Sequence, residues 1–133
     1  MGSSVYDQYK NLTPEEQQYI KMHPHHAIII KRSKEIAFSE TRKRFGVNGH
    51  NDKSDAFRHC FWSAMLARDL GYLNALRFTS SHESDPRNPP QEKAMDLHNN
   101  SVGLSIGMSG GNNDNLSSLC MSALLTGKLK VIK

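Results

Sequence analysis

Proline, glycine and capping residues cut this 133-residue sequence into about six segments, and the apolar residues inside them recur at helical spacing. Thr13-Pro14-Glu15-Glu16 is a capping box with proline at the first helical position, so a helix begins there. It should stop near Met22, because Pro24 disfavours helix at His23. A second helix is expected from Pro24 to about Phe45, ended by Gly46, with Ala27, Ile28, Ile36 and Phe38 as its apolar side. After a polar loop from Val47 to Lys53, Ser54 is the expected cap of a third helix running to Leu70 and closed by Gly71. Ala56, Phe57, Cys60, Phe61, Ala64, Ala67 and Leu70 give that helix its apolar face. A fourth covers about Tyr72 to His82. The Pro-rich loop from Ser84 to Pro90 interrupts, and a fifth runs from about Gln91 to Ile106. Gly103 and Gly107 lie one turn apart and permit close helix approach. Beyond the Gly/Asn stretch Met108 to Asn113, Asn113 or Asp114 should cap a last helix ending at Gly127. Leu129 to Ile132 reads as an extended tail or short strand. The implied class is all-α, one compact bundle of about six helices. Residues 1–44 supply N-terminal helices, and residues 45–133 supply a core that carries the motifs.

Several function classes drop out. No apolar stretch approaches the roughly 18 consecutive residues of a membrane span; the longest aliphatic run is Ala27-Ile28-Ile29-Ile30. No secretory signal is visible at the N-terminus, and Met1-Gly2-Ser3-Ser4 carries no weight. Cys60 and Cys120 are too few for a disulfide framework and are expected as buried free thiols. The net charge is +4, and much of the excess sits in Lys31, Arg32, Lys34, Arg42, Lys43 and Arg44. That run suits either a phosphate-facing surface or a solvated helix face.

The third helix carries Asp55, Arg58, His59 and Trp62 at i, i+3, i+4 and i+7, one stripe. A solvent stripe rarely needs tryptophan, and a core stripe rarely holds Asp, Arg and His together unless they pair. The fifth helix repeats the pattern with Asp96, Asn99, Asn100 and Gly103. His82-Glu83 closes the fourth helix, with Glu83 placed to reach a cleft without being buried. Converging, these residues supply a general base or acid (His59, Glu83), an orienting carboxylate (Asp55 or Asp96), an oxyanion stabiliser (Arg58) and amide donors (Asn99, Asn100). Trp62 and His82 complete the expected substrate-binding side. The opposite expectation is an internal ion-pair network that only locks the bundle. A divalent metal is a further option, since His59, His82, Glu83, Asp96 and His98 include enough ligand types. No H-E-x-x-H or C-x-x-C spacing specifies one. His23, His25 and His26 straddle a helix start and are expected to be solvated, as is His98.

Asp55-Ala56-Phe57-Arg58-His59-Cys60-Phe61-Trp62, His82-Glu83 and Met95-Asp96-Leu97-His98-Asn99-Asn100-Ser101-Val102-Gly103 together resemble a helical domain of unknown function. That domain closes bacterial polymorphic toxins and related secreted effectors. Its pattern is D-A-x-R-H-x-x-W, H-E and M-D-x-H-N-N-x-x-G, and the resemblance covers about residues 45 to 132. It implies export by a dedicated system, delivery into a target bacterial cell, and a cognate immunity protein. A weaker likeness is to bacterial phospholipases A2, but Arg58-His59-Cys60-Phe61 lacks the aspartate that usually follows that histidine, and no calcium-binding loop is evident.

Three functions stay open on these grounds. The first is a hydrolase acting on nucleic acid, for which a base, an arginine and a basic helix are suited. The second is a hydrolase of the cell envelope, phospholipase-like or peptidoglycan-cleaving; a lipid substrate would favour a cleft rimmed by Phe61, Met95, Met108 and Met121. The third is a non-enzymatic binding module.

Overall fold

Two helices, residues 53–70 and 90–107, make the most extensive helix contact, and the rest is arranged around them. The computed structural model describes residues 12–133, so Met1-Gly2-Ser3-Ser4 lies outside it. Among the described residues the helices are, in chain order, α1 (Pro14–Met22), α2 (Ala27–Phe45), α3 (Lys53–Leu70), α4 (Tyr72–His82), α5 (Pro90–Gly107) and α6 (Asn113–Leu125), with a 3-10 turn, Pro24–His26, before α2. No strand occurs among the described residues. The fold is an all-α bundle, as the punctuation predicts. No helix among the described residues is long and apolar enough to cross a membrane.

The α3–α5 contact depends on two missing side chains. A Cβ on Gly103 would collide with the backbone carbonyl of Cys60, and one on Gly107 with that of Ala64. With glycine at both positions the two backbones touch, and α3 runs through the middle of the molecule with neighbours on most sides. Its Ala56, Phe57, Cys60, Phe61, Ala64, Met65 and Leu66 are essentially sealed. They pack with Phe78 of α4, Met95 and Leu104 of α5, and Leu116 and Cys120 of α6. Burying each of the three sealed phenylalanines contributes about 2–3 kcal/mol. Cys60 and Cys120 are free, buried and mutually in contact. The Cys60 hydrogen bond and burial push the Cys120 thiol far above its ordinary range, which leaves it unreactive.

Several local expectations are corrected. The core face of α2 is Ile30, Ser33, Ala37 and Thr41, whereas Ile28, Ile36 and Phe38 are exposed. Small side chains face inward there because α2 lies close against α3, and Ser33 accepts the indole N–H of Trp62 at 2.9 Å. Asp52, not Ser54, caps α3, accepting from the Asp55 amide; the Ser54 hydroxyl instead donates to Asp52. Pro90 opens α5 as its first residue, where a missing N–H costs nothing. Asn112 caps α6 in a reciprocal box with Asn115. The tail is extended but forms no strand: its Ile132 and Lys133 amides donate to the Asn51 carbonyl. His26 is buried and paired with the Tyr19 hydroxyl, so it is not solvated.

Candidate functional site

The N-terminal turn of α3 is wrapped by the loop before it. Asn51, held at φ 63°, donates its amide to Asp55 Oδ2 at 2.7 Å. Arg58 reaches back to Asp55 Oδ1 (2.6 Å), the Gly49 carbonyl (3.0 Å) and Asn48 Oδ1 (3.3 Å). Its guanidinium also covers the Phe38 ring, 4.8 Å from the centroid. One arginine therefore joins loop, helix and the outer face of α2.

His59, one turn after Asp55, has carboxylates on both sides of its ring. Nε2 is 3.3 Å from Asp55 Oδ1 and 3.4 Å from Asp96 Oδ1, and Nδ1 is 3.6 Å from Glu83 Oε2. The hydrogen bond on the Nδ1 side goes to Asn100 Oδ1 at 3.1 Å. Asn100 is itself fixed: its carbonyl also accepts from Ser63, and its amide donates to Glu83. Burial by itself would lower the imidazole pKa. The Asp55 hydrogen bond and the charges of Asp96, Glu83 and Asp55 outweigh it and raise the pKa to about 9. His59 is therefore a cation at neutral pH, and both ring nitrogens are engaged. A free imidazole base, the role expected first, is not its resting state.

The acids behave differently from one another. Burial would raise Asp55, but His59, the Asn51 amide and Arg58 prevail and hold it below the usual carboxylate range. Asp96 is buried as well and lacks such partners. Burial, only partly offset by His59 and reinforced by the Glu83 and Asp55 charges, raises it to about 6. Its Oδ1 is sealed and has no hydrogen-bond partner. Glu83 is only 3% exposed, so the expectation that it reaches the cleft from outside the bundle is wrong; it sits behind the ring, tied to Asn100.

A cavity of about 150 Å³ opens in front of this cluster, lined by Lys34, Phe38, Arg58, His59, Trp62 and His82. Four of these residues are cationic or cation-capable and two are aromatic without charge. Trp62 meets His82 edge-on at 5.2 Å. His82 donates to Glu16 Oε2 at 2.8 Å, and Glu16 is buried under α4. There the ring and the Thr13 cap overcome burial and lower the Glu16 pKa. A larger hollow of about 490 Å³ lies between α1 and α4 against Tyr19, Met22, Leu76 and Arg77. Its lining also includes Glu15, Gln18, His23, Ser80 and Ser81 but none of the residues around His59, so the smaller cavity, which His59 itself lines, is the candidate site.

Of the residues predicted from sequence, Asp55, Arg58, His59, Trp62, His82, Glu83, Asp96 and Asn100 meet around this cavity or directly behind it. Asn99 does not. It is fully buried but turned to the tail, donating to the Lys130 carbonyl at 2.9 Å and accepting the Lys130 amide at 2.8 Å. His98 is exposed and donates to the Lys128 carbonyl. Lys34, Phe38, Ser63 and Glu16 were missed. Lys34 lay inside the basic run, and Glu16 was already accounted for as the third residue of a capping box. The lipid rim is not formed: Phe61 and Met95 are sealed in the core.

The comparisons with known proteins bear on the whole bundle. A family described as a domain of unknown function (DUF6973) matches residues 17–130. The chain belongs to that family. The match takes in most of α1 and all of α2, so the family unit extends well ahead of residue 45, where the motif likeness begins. Both Glu16's partner His82 and the cavity wall from α2 lie within it. No solved structure matches the chain.

Proposed function

We propose that this domain is a phosphodiester hydrolase, with nucleic acid as its substrate. The observation that carries the reading is the cavity lining. Lys34, Arg58, His59 and His82 surround a space the size of a phosphate group with a few waters, beside the faces of Phe38 and Trp62. Fixed positive charge in a partly dry cavity favours a phosphoryl oxygen as it gains charge, and aromatic walls suit a stacked base. The His59 imidazolium supplies charge at the cavity wall. Asp96, in reach of its Nε2, is the carboxylate able to accept a proton near neutrality.

The likeness of the three motifs to polymorphic-toxin domains supports a setting for this chemistry. In that setting the domain is the active part of an exported antibacterial effector, it acts inside the target cell, and an immunity protein protects the producer. The experiment is expression in bacteria, directed to cytoplasm or periplasm, with purified protein assayed on RNA and DNA. Wild type should kill from the cytoplasm and degrade nucleic acid, and folded His59→Gln should do neither. Killing from the periplasm alone would favour an envelope substrate. Undiminished killing by folded His59→Gln would leave a binding module.

A further inference from the structure

We propose that Asp55 Oδ1, His59 Nε2 and Asp96 Oδ1 form a three-ligand site for a divalent transition-metal ion. The three atoms lie within 4.8 Å of one another. The two edges that meet at Nε2 are 3.3 and 3.4 Å, close to the separation of neighbouring ligands about a tetrahedral ion with bonds of about 2.0–2.1 Å.

Asp96 is the independent sign of a ligand. The residue is 8% exposed and its side chain 12%, while Oδ1 itself is sealed, points at the Nε2 of His59 and accepts no hydrogen bond. The His59 ring faces this oxygen at 3.4 Å without a hydrogen bond to it, so its lone pairs stay free for an ion.

The surroundings are those of a metal-bound histidine. Such a ring usually gives its other N–H to a fixed acceptor, which sets the tautomer. Here that acceptor is Asn100 Oδ1, immobilised by Ser63 and Glu83, so Nδ1 keeps its proton, and Nε2 presents its lone pair once the ion displaces the proton it carries in metal-free protein. Asp55 is likewise oriented by the Asn51 amide and Arg58. Charge points the same way. With a neutral imidazole, the cluster holds one guanidinium, Arg58 on Asp55, against three carboxylates, Asp55, Glu83 and Asp96, which leaves two negative charges for a divalent ion to neutralise. One imidazole with two carboxylates suits zinc or manganese better than magnesium. Three protein ligands also leave a coordination position for water.

The inference does not need the hydrolase reading; in the loaded protein the ion would replace the Nε2 proton and supply the positive charge in place of the imidazolium, so its test is binding rather than turnover. Chelator-treated protein is titrated with Zn²⁺ and with Mn²⁺, by calorimetry and thermal melting. Wild type should bind one ion with a rise in Tm, and Asp96→Asn should bind at least ten-fold more weakly. Mn²⁺ should broaden the amide signals around His59 and Asp96 before any others. The wild-type measurements stand alone if the variant fails to fold. No saturable binding by wild type, equal binding by folded Asp96→Asn, or broadening centred elsewhere would each overturn the site.

Discussion

The carboxylate of Asp96 stands 3.4 Å from Nε2 of His59, yet only one of the two groups is well provided for. His59 has Asp55, Glu83 and Asn100 besides. Asp96 has His59 alone, and the difference sets how each should titrate.

In metal-free protein, His59 should titrate near pH 9 in an NMR histidine titration. Asp55, Glu83, Asp96 and Arg58 face it, with His82 6.4 Å away between ring centroids. Its folded pKa, about 9, lies above the ordinary value of 6.5. The associated stability, on the order of 3 kcal/mol, is therefore complete below about pH 6.5 and lost as pH rises through 9. Urea unfolding at pH 6 and pH 9.5 should show that loss in wild type and not in His59→Gln. A His59 signal that titrates at 6.5 would remove the charge cluster as described.

Asp96→Asn should stabilise the metal-free protein at pH 7.5 by about 1–3 kcal/mol and have little effect at pH 4. The folded pKa is raised from 3.8 to about 6, so stability falls as pH rises from about 3.8 to 6, where the unfolded chain has released a proton the folded one keeps, and the whole cost is present above about 6. The amide carries no charge to bury. Thermal melts at the two pH values are the check; destabilisation at pH 7.5 would mean that Asp96 has a partner.

Gly103→Ala should lower stability by about 3 kcal/mol or more, or prevent folding. The added methyl meets the Cys60 carbonyl, and backbone cannot yield as a side-chain tip can. Gly46→Ala provides the contrast, since nothing lies near that position and only its positive φ of 77° is strained; it should cost about 1 kcal/mol. Equal losses in chemical denaturation would contradict the packing.

Asn99→Ala should free the tail without disturbing the His59 cluster. It removes both hydrogen bonds to Lys130, at a cost of about 1–3 kcal/mol. The Lys130 amide should lose protection from hydrogen exchange while His59 keeps its titration.

The sequence showed some of these relationships because side-chain spacing carried them. Gly103 and Gly107 on one face of α5, and Asp55, Arg58 and His59 on one face of α3, predicted a close helix approach and most of the cluster. Spacing was too coarse for Asn99. Residues three and four positions after Asp96 point about 60° and 40° to either side of it, so Asn100 meets His59 while Asn99 turns to the tail. The inner face of α2 was hidden for another reason. Close approach to α3 selects small residues, Ser33 and Ala37, so a search for hydrophobic bulk picked out Ile36 and Phe38, which are exposed. Glu16 already had a local role that explained its presence.

Because the backbones of α3 and α5 are in contact at Gly103 and Gly107, the spacing of His59 and Asp96 is set by covalent geometry rather than by the choice of core side chains. Residues such as Met65 and Leu104 can then exchange for others of like volume over evolutionary time without retuning the polar centre. Relatives that differ widely in their apolar residues should keep the same separation between these two groups, and only a change at the glycines should shift it.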